Sequence, residues 1–144
     1  AGAELYQISA APDGSLKSET LWQSKRLKAK FSNMVYRDGF VYGLDDGILV
    51  CLDPQNGKRR WKKGRYGHGQ LILVDDVLLI MSEKGDVVLV EASPERHNEL
   101  ALITAFDGKS WNPHAFAAPY LLVRTDSEAI CYELPLEGGA MALH

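Results

Sequence analysis

Along this chain short apolar runs alternate with clusters of Asp, Gly, Asn and Pro. The pattern is clearest at residues 45–61, DDGILVCLDPQNGKRRW. There a turn (Asp45-Asp46-Gly47) leads into an apolar strand over 48–52, then a second turn (Asp53-Pro54-Gln55-Asn56-Gly57) and a strand ending in Trp61. Turn residues bracketing apolar runs at this spacing predict antiparallel hairpins. The block recurs. Taking Gly47 as a mark, Gly85 stands 38 residues on and Ser127 stands 42 beyond that. Before each mark the pattern predicts a strand (40–44, 77–81, 120–123), after it another (48–52, 87–90, 129–132), and upstream a third (34–36, 71–74, 115–117). Fourth strands are predicted at 58–61 and 99–104, and at the start of the chain 5–8 and 19–22 read as the third and fourth strands of an incomplete unit. Helix is nearly absent: 24–30 is the only helix-tolerant stretch, and it has no apolar stripe.

Four strands repeating at about forty residues match the size of a propeller blade. An antiparallel sandwich also shows evenly spaced turns, but it has no reason to repeat in fours. The predicted fold class is therefore all-β. It has blades of four antiparallel strands, about three and a quarter per chain, in a single partial propeller domain over 1–144. The expected layout is a blade remnant at 4–23, blades at 31–63 and 70–104, an incomplete blade at 114–135 and a tail at 136–144. A closed propeller takes at least four blades. An arc this short would leave apolar flanks and an unpaired outer strand in water. Either the chain is part of a longer propeller, or copies of it close the ring, most simply as a homodimer in which the strand at 19–22 completes the blade begun at 115–132.

Residues 51–61, Cys-Leu-Asp-Pro-Gln-Asn-Gly-Lys-Arg-Arg-Trp, resemble the tryptophan-docking motif of pyrroloquinoline-quinone-like β-propellers, with Cys51, Asp53, Gly57, Lys58 and Trp61 in its places. The first copy keeps Ser9 or Ala10, Asp13-Gly14 and Trp22; the third, at 91–97, lacks both glycine and tryptophan. The likeness extends over about 4–135. It implies structural roles for Trp22, Trp61, Gly57 and Asp53, each indole packing on the neighbouring blade with its N–H donated to a carbonyl. Quinone-using members of the family are similar to one another in a vicinal disulfide and a calcium held by Glu, Asn and Asp. This chain has no adjacent cysteines and no acidic cluster that matches, so the resemblance implies a non-catalytic member with no cofactor. It also implies an extracytoplasmic bacterial setting, periplasmic or secreted.

Composition narrows the partners only a little. The 144 residues carry a net charge of -3, which gives no electrostatic footprint for nucleic acid. No apolar run approaches the ~18 residues that cross a bilayer, so membrane insertion is not expected. The opening Ala1-Gly2-Ala3 leads straight into a strand pattern and does not read as a signal peptide. Cys51 and Cys131 stand alone inside apolar runs, without CxxC spacing, and both are expected to be buried core residues rather than metal ligands.

The candidate site comes from register. Aligning the repeats brings three connections between successive units together: 30–33, 66–70 and 111–114. Phe31, His68 and Trp111 then share one level, and Ser32, Gly69 and Asn112 the next, with Asn33, Tyr66, Gln70 and His114 beside them. Aromatic and polar side chains on converging loops suit a shallow binding pocket. Glycines on both sides of His68 permit a close backbone approach. The plainer reading is that His68 caps a carbonyl, that His114, after Pro113, faces solvent, and that His97 lies on the surface. His144 is terminal. No GxSxG, HExxH, P-loop or GxGxxG occurs. Asp45-Asp46 and Asp75-Asp76 read as turn residues, and the basic run 58–65 as a guard on an outer strand. One reading is a purely structural assembly domain, in which oligomerisation is itself the function; two further functions stay open. One is a non-enzymatic scaffold that binds a protein, peptide or glycan on its loop face and assembles with itself. The other is an accessory or substrate-binding part of an extracytoplasmic oxidoreductase or hydrolase.

Overall fold

The computed structural model describes residues 2–137 and 140–141. Every regular element among them is a strand. Strands β1 (Ala3–Ala10) and β2 (Leu16–Ser24) form a hairpin. A four-stranded antiparallel sheet follows, with β3 (Met34–Arg37), β4 (Phe40–Asp45), β5 (Ile48–Asp53) and β6 (Lys58–Arg65) in chain order. The next sheet has the same plan: β7 (Gln70–Val74), β8 (Val77–Met81), β9 (Asp86–Glu91) and β10 (Glu99–Thr104). A third sheet holds β11 (Ala115–Ala117), β12 (Tyr120–Arg124) and β13 (Ala129–Glu133). Within the expected tail, β14 (Leu136–Glu137) pairs with β15 (Ala140–Met141). The rest of that tail, His144 included, lies outside the described residues.

Tight turns make this plan possible. Asp38-Gly39 and Asp46-Gly47 each place two successive residues at positive φ (46° and 87°, 50° and 81°). That backbone twist suits a two-residue hairpin, and Asp tolerates it through its own local hydrogen bonds.

Burial explains why the middle sheet carries almost unbroken apolar runs. Successive side chains on a strand point to opposite faces, so a strand apolar at every position needs cover on both. All five residues of β8 are buried. One face of the sheet, with Leu71, Leu78, Ile80, Val88 and Val90, packs on Tyr42, Leu44, Leu49 and Cys51 of the sheet before it. The other, with Leu79, Met81, Val87 and Leu89, packs on Leu121 and Val123 of the sheet after it. At the near end Val50 and Leu52 of β5 are covered by Leu27 and by Ala3 of β1. The sheets therefore stand side by side in chain order, each pressed on the next. Each fully buried aliphatic side chain contributes about 1.5–3 kcal/mol.

The two docking tryptophans sit in matching surroundings. Trp22 Nε1 donates to Pro54 O at 2.6 Å and Trp61 Nε1 to Ser93 O at 2.9 Å, each reaching 32 residues ahead into the turn of the next sheet. Gly57 lies under the first indole, where an added Cβ would come within 2.9 Å of the Trp22 ring.

Three expectations need correction. Cys51 is buried, and burial pushes its thiol up to about 11, but Cys131 is exposed. It lies opposite Leu122 in the three-stranded sheet, on a face that stays exposed among the described residues. His97 is not a surface residue: its ring meets Trp61 edge-on at 5.8 Å, and its Nε2 lies 2.8 Å from the Tyr66 hydroxyl. Asp45 does more than serve a turn. It is buried, pairs with Lys62 Nζ at 2.6 Å, and accepts the N–H of Lys28 at 2.8 Å.

Candidate functional site

The connections between sheets carry the site. Phe31 comes from the β2–β3 segment, His68 from the β6–β7 segment, Gln70 from the first position of β7, and Trp111 from the β10–β11 segment. Together these four side chains line a cleft of about 390 Å³. The Phe31 and His68 rings meet edge to face with centroids 6.5 Å apart. Gln70 Nε2 donates to Phe31 O and ties the first wall to the second. Phe31 itself adopts φ 59°, a left-handed conformation that a bulky residue seldom takes unless its surroundings hold it there. It is 89% exposed and Trp111 59% exposed, so two large aromatic surfaces face water at the mouth.

Glu83, in the β8–β9 turn, organises this arrangement. Its Oε2 accepts the backbone N–H of His68 at 3.0 Å and its Oε1 the indole N–H of Trp111 at 3.1 Å. Its own N–H donates to Tyr66 O at 2.8 Å, and its carbonyl accepts from Ser110 N at 3.0 Å. One turn residue thus holds both neighbouring connections. The His68 N–H first, and then the Trp111 indole, hold its carboxyl pKa below the ordinary value. Gly67 makes room: a Cβ there, at φ 65°, would strike the Glu83 side chain at 2.4 Å.

Sequence reasoning missed Glu83. The signal that could have found it is an acidic residue two positions before the turn glycine in two successive repeats, Asp45-Asp46-Gly47 and then Glu83-Lys84-Gly85. In the first of these, Asp45 grips the Lys28 N–H of the preceding connection much as Glu83 grips His68.

Other expected site residues fall elsewhere. Tyr66 is buried and turned away from the cleft, its hydroxyl donating to Glu99 Oε2 at 2.8 Å and lying 2.8 Å from His97 Nε2. Burial, and then the Glu99 carboxylate, raise its pKa well above that of a free phenol. His114 does not face solvent. It is buried, its Nε2 lies 3.0 Å from Leu79 O, and burial lowers its pKa. Ser32 is half-buried with its hydroxyl unpartnered among the described residues, and Asn33 is exposed, its Oδ1 3.5 Å from Leu71 N. Asn112 is half-buried beside the cleft wall and is not part of the lining. Among the described residues no three of His, Cys, Asp or Glu cluster closely enough to hold a metal ion.

No protein-family model matches the sequence, and no curated protein matches it either. Solved structures do match. The computationally designed Ika8 protein superposes with a TM-score of 0.58 at 13% identity, over 89% of this chain and 42% of its own. BamB from Moraxella catarrhalis superposes with the same TM-score of 0.58 at 15% identity, over 89% of this chain and 45% of its own. The chain has a β-propeller-like fold. It spans less than half the length of either protein, and at such identities the likeness concerns the fold alone. A europium-containing methanol dehydrogenase is more distant, with a TM-score of 0.43 at 17% identity over 71% of this chain and 23% of its own.

In propeller terms, the site lies where the connections from one blade-like sheet to the next converge, on the same side as the β8–β9 turn. Loops held by a rigid sheet scaffold are a usual place for binding side chains. Here that scaffold is fixed by the packing of the middle sheet on both neighbours.

Proposed function

We propose that the chain is a non-catalytic propeller module, of the kind its tryptophan-docking motifs resemble, that binds a peptide or protein segment by an apolar anchor side chain in the Phe31–His68–Gln70–Trp111 cleft. The observation that carries this reading is the pair of aromatic rings left exposed at a cleft whose walls are held by backbone and side-chain hydrogen bonds. Exposed aromatic surface that a scaffold keeps preorganised is suited to being buried by a ligand. A glycan is the weaker fit. Sugar hydroxyls need polar partners, and here the Gln70 amide is engaged with Phe31 O and both Glu83 oxygens are engaged with His68 and Trp111. Selecting a random peptide display library against the purified protein tests the reading. Selected peptides should carry a common bulky apolar residue and lose binding to Phe31→Ala/Trp111→Ala, with the thermal melt of the variant unchanged. Equal recovery on the variant, or no enrichment beside strong binding on a glycan array, would overturn it.

The ends of the arc support a companion proposal, that further propeller surface covers them, supplied by a second copy or by flanking chain. On the last sheet Tyr120 and Leu122 are 49% and 51% exposed, on the face opposite Leu121 and Val123. At the other end Tyr6, Ile8 and Leu16 of the β1–β2 hairpin are exposed as well.

A further inference from the structure

On the far side of Glu83 from the aromatic cleft lies a second one, of about 500 Å³, lined by Arg65, Lys84 and Lys109 together with the Tyr66, Gly67 and Gly108 segments. Its three cations face one carboxylate, that of Glu83, both of whose oxygens already accept N–H groups from the aromatic side. None of the three cations is ion-paired among the described residues, although Lys28, Lys30, Arg37 and Lys62 of the same chain all are. Lys109 joins the two clefts directly, its Nζ lying 5.4 Å from the centre of the Trp111 ring. The open floor is glycine. Gly108, at φ 136°, has no atom within 4 Å of where a Cβ would stand, which lets a ligand backbone lie close.

A protein with a net charge of -3 that gathers unpaired cations around one concavity next to an apolar pocket presents a charge pattern with a specific complement. Resting on the peptide reading above, we infer that the bound segment is acidic beside its apolar anchor: the anchor fills the Phe31–Trp111 cleft, and one or more carboxylates next to it in sequence enter the Arg65–Lys84–Lys109 cleft. Glu83, which lines the cationic cleft and holds His68 and Trp111 of the aromatic one, fixes the distance between them and is a positioning residue. The charged half supplies selectivity and on-rate rather than most of the affinity, because exposed ion pairs are individually weak.

Two synthetic peptide pools test this, both with one Trp at a fixed position among random small residues. In one pool the neighbours of the Trp are Asp and Glu; in the other they are Asn and Gln. Fluorescence anisotropy with the intact chain at low salt should show the acidic pool binding about tenfold more tightly, from a few pairs of modest strength. That preference should shrink as added salt screens the pairs. Arg65→Gln/Lys84→Gln should bring the two pools level, and Phe31→Ala/Trp111→Ala should abolish binding of both. If the two pools bind equally to the unaltered protein, the acidic assignment is wrong while the peptide reading stands. If neither binds, the peptide reading fails and takes this one with it. Preferential binding to phosphatidylserine vesicles over both pools would overturn the assignment in favour of a membrane surface.

Discussion

His114 occupies in the third sheet the position that Leu71 holds in the second. Leu71 lies opposite Ile80, and extending the β11–β12 register by one residue sets His114 opposite Val123. A histidine therefore fills an apolar site, with Nε2 on Leu79 O and Nδ1 unpartnered among the described residues. Burial lowers its pKa in the folded chain below the unfolded value of 6.5. Its contribution to stability is thus intact above that unfolded value and is lost as pH falls through the folded one. His97, whose pKa burial also lowers, adds to the loss in the same direction. His114→Leu should narrow the stability gap between about pH 7.5 and about pH 5, as read from urea denaturation at each pH; an unchanged gap would place the acid sensitivity elsewhere. At this scale legibility was uneven. Phe31, His68 and Trp111 could be grouped because repeat alignment carries equivalent positions to one level. Nothing in the repeat says which way a side chain in a connection turns, and so Tyr66 and His114, aligned with the same connections, prove to be buried.

Among the elements, the β5–β6 turn and its tryptophans do the joining. Trp61 packs against Tyr42 at 6.1 Å and reaches Ser93 in the β9–β10 turn, so it links two sheets that also meet through aliphatic side chains and through Tyr66. Trp61→Ala should cost about 3 kcal/mol, the low end for a large aromatic because the indole is only partly buried. Equilibrium denaturation monitored by circular dichroism measures this directly. A loss well under 1 kcal/mol would show that the seam holds without the staple. The turn was readable because Asp, Asn and Gly at fixed offsets have local backbone reasons to be there. The partner of the indole was readable only as a family resemblance. The basic strand β6 combines two roles. Lys62 is drawn to the buried Asp45, and Arg60 lies over the Phe40 ring at 5.8 Å, while Lys58, Arg59, Lys63 and Arg65 remain exposed along the outer edge.

At the scale of the whole molecule, both ends of the arc expose apolar side chains among the described residues. Side chains such as Leu122 and Leu16 on sheet faces in water carry an association tendency that a closed ring would remove. If a second copy supplies the cover, light scattering should give twice the mass of the chain, and Tyr120→Lys/Leu122→Lys should convert it to a folded monomer. A stable monomer of the unaltered chain, well folded and soluble, would leave flanking propeller as the source of cover instead.

The amino-acid sequence by itself determined the all-β class, the four-strand repeat and the hairpin turns, because these rest on period-two burial and on left-handed turn residues, both local properties. It also brought the cleft-forming connections to one level, since a repeat preserves register. Only the tertiary structure decided that Glu83 ties His68 to Trp111, that His97 packs on Trp61 and Tyr66 and His114 is buried, and that Cys131 is exposed. Those outcomes depend on which sheet lies against which face, and contacts between sheets 30 or more residues apart leave no periodic trace in the chain.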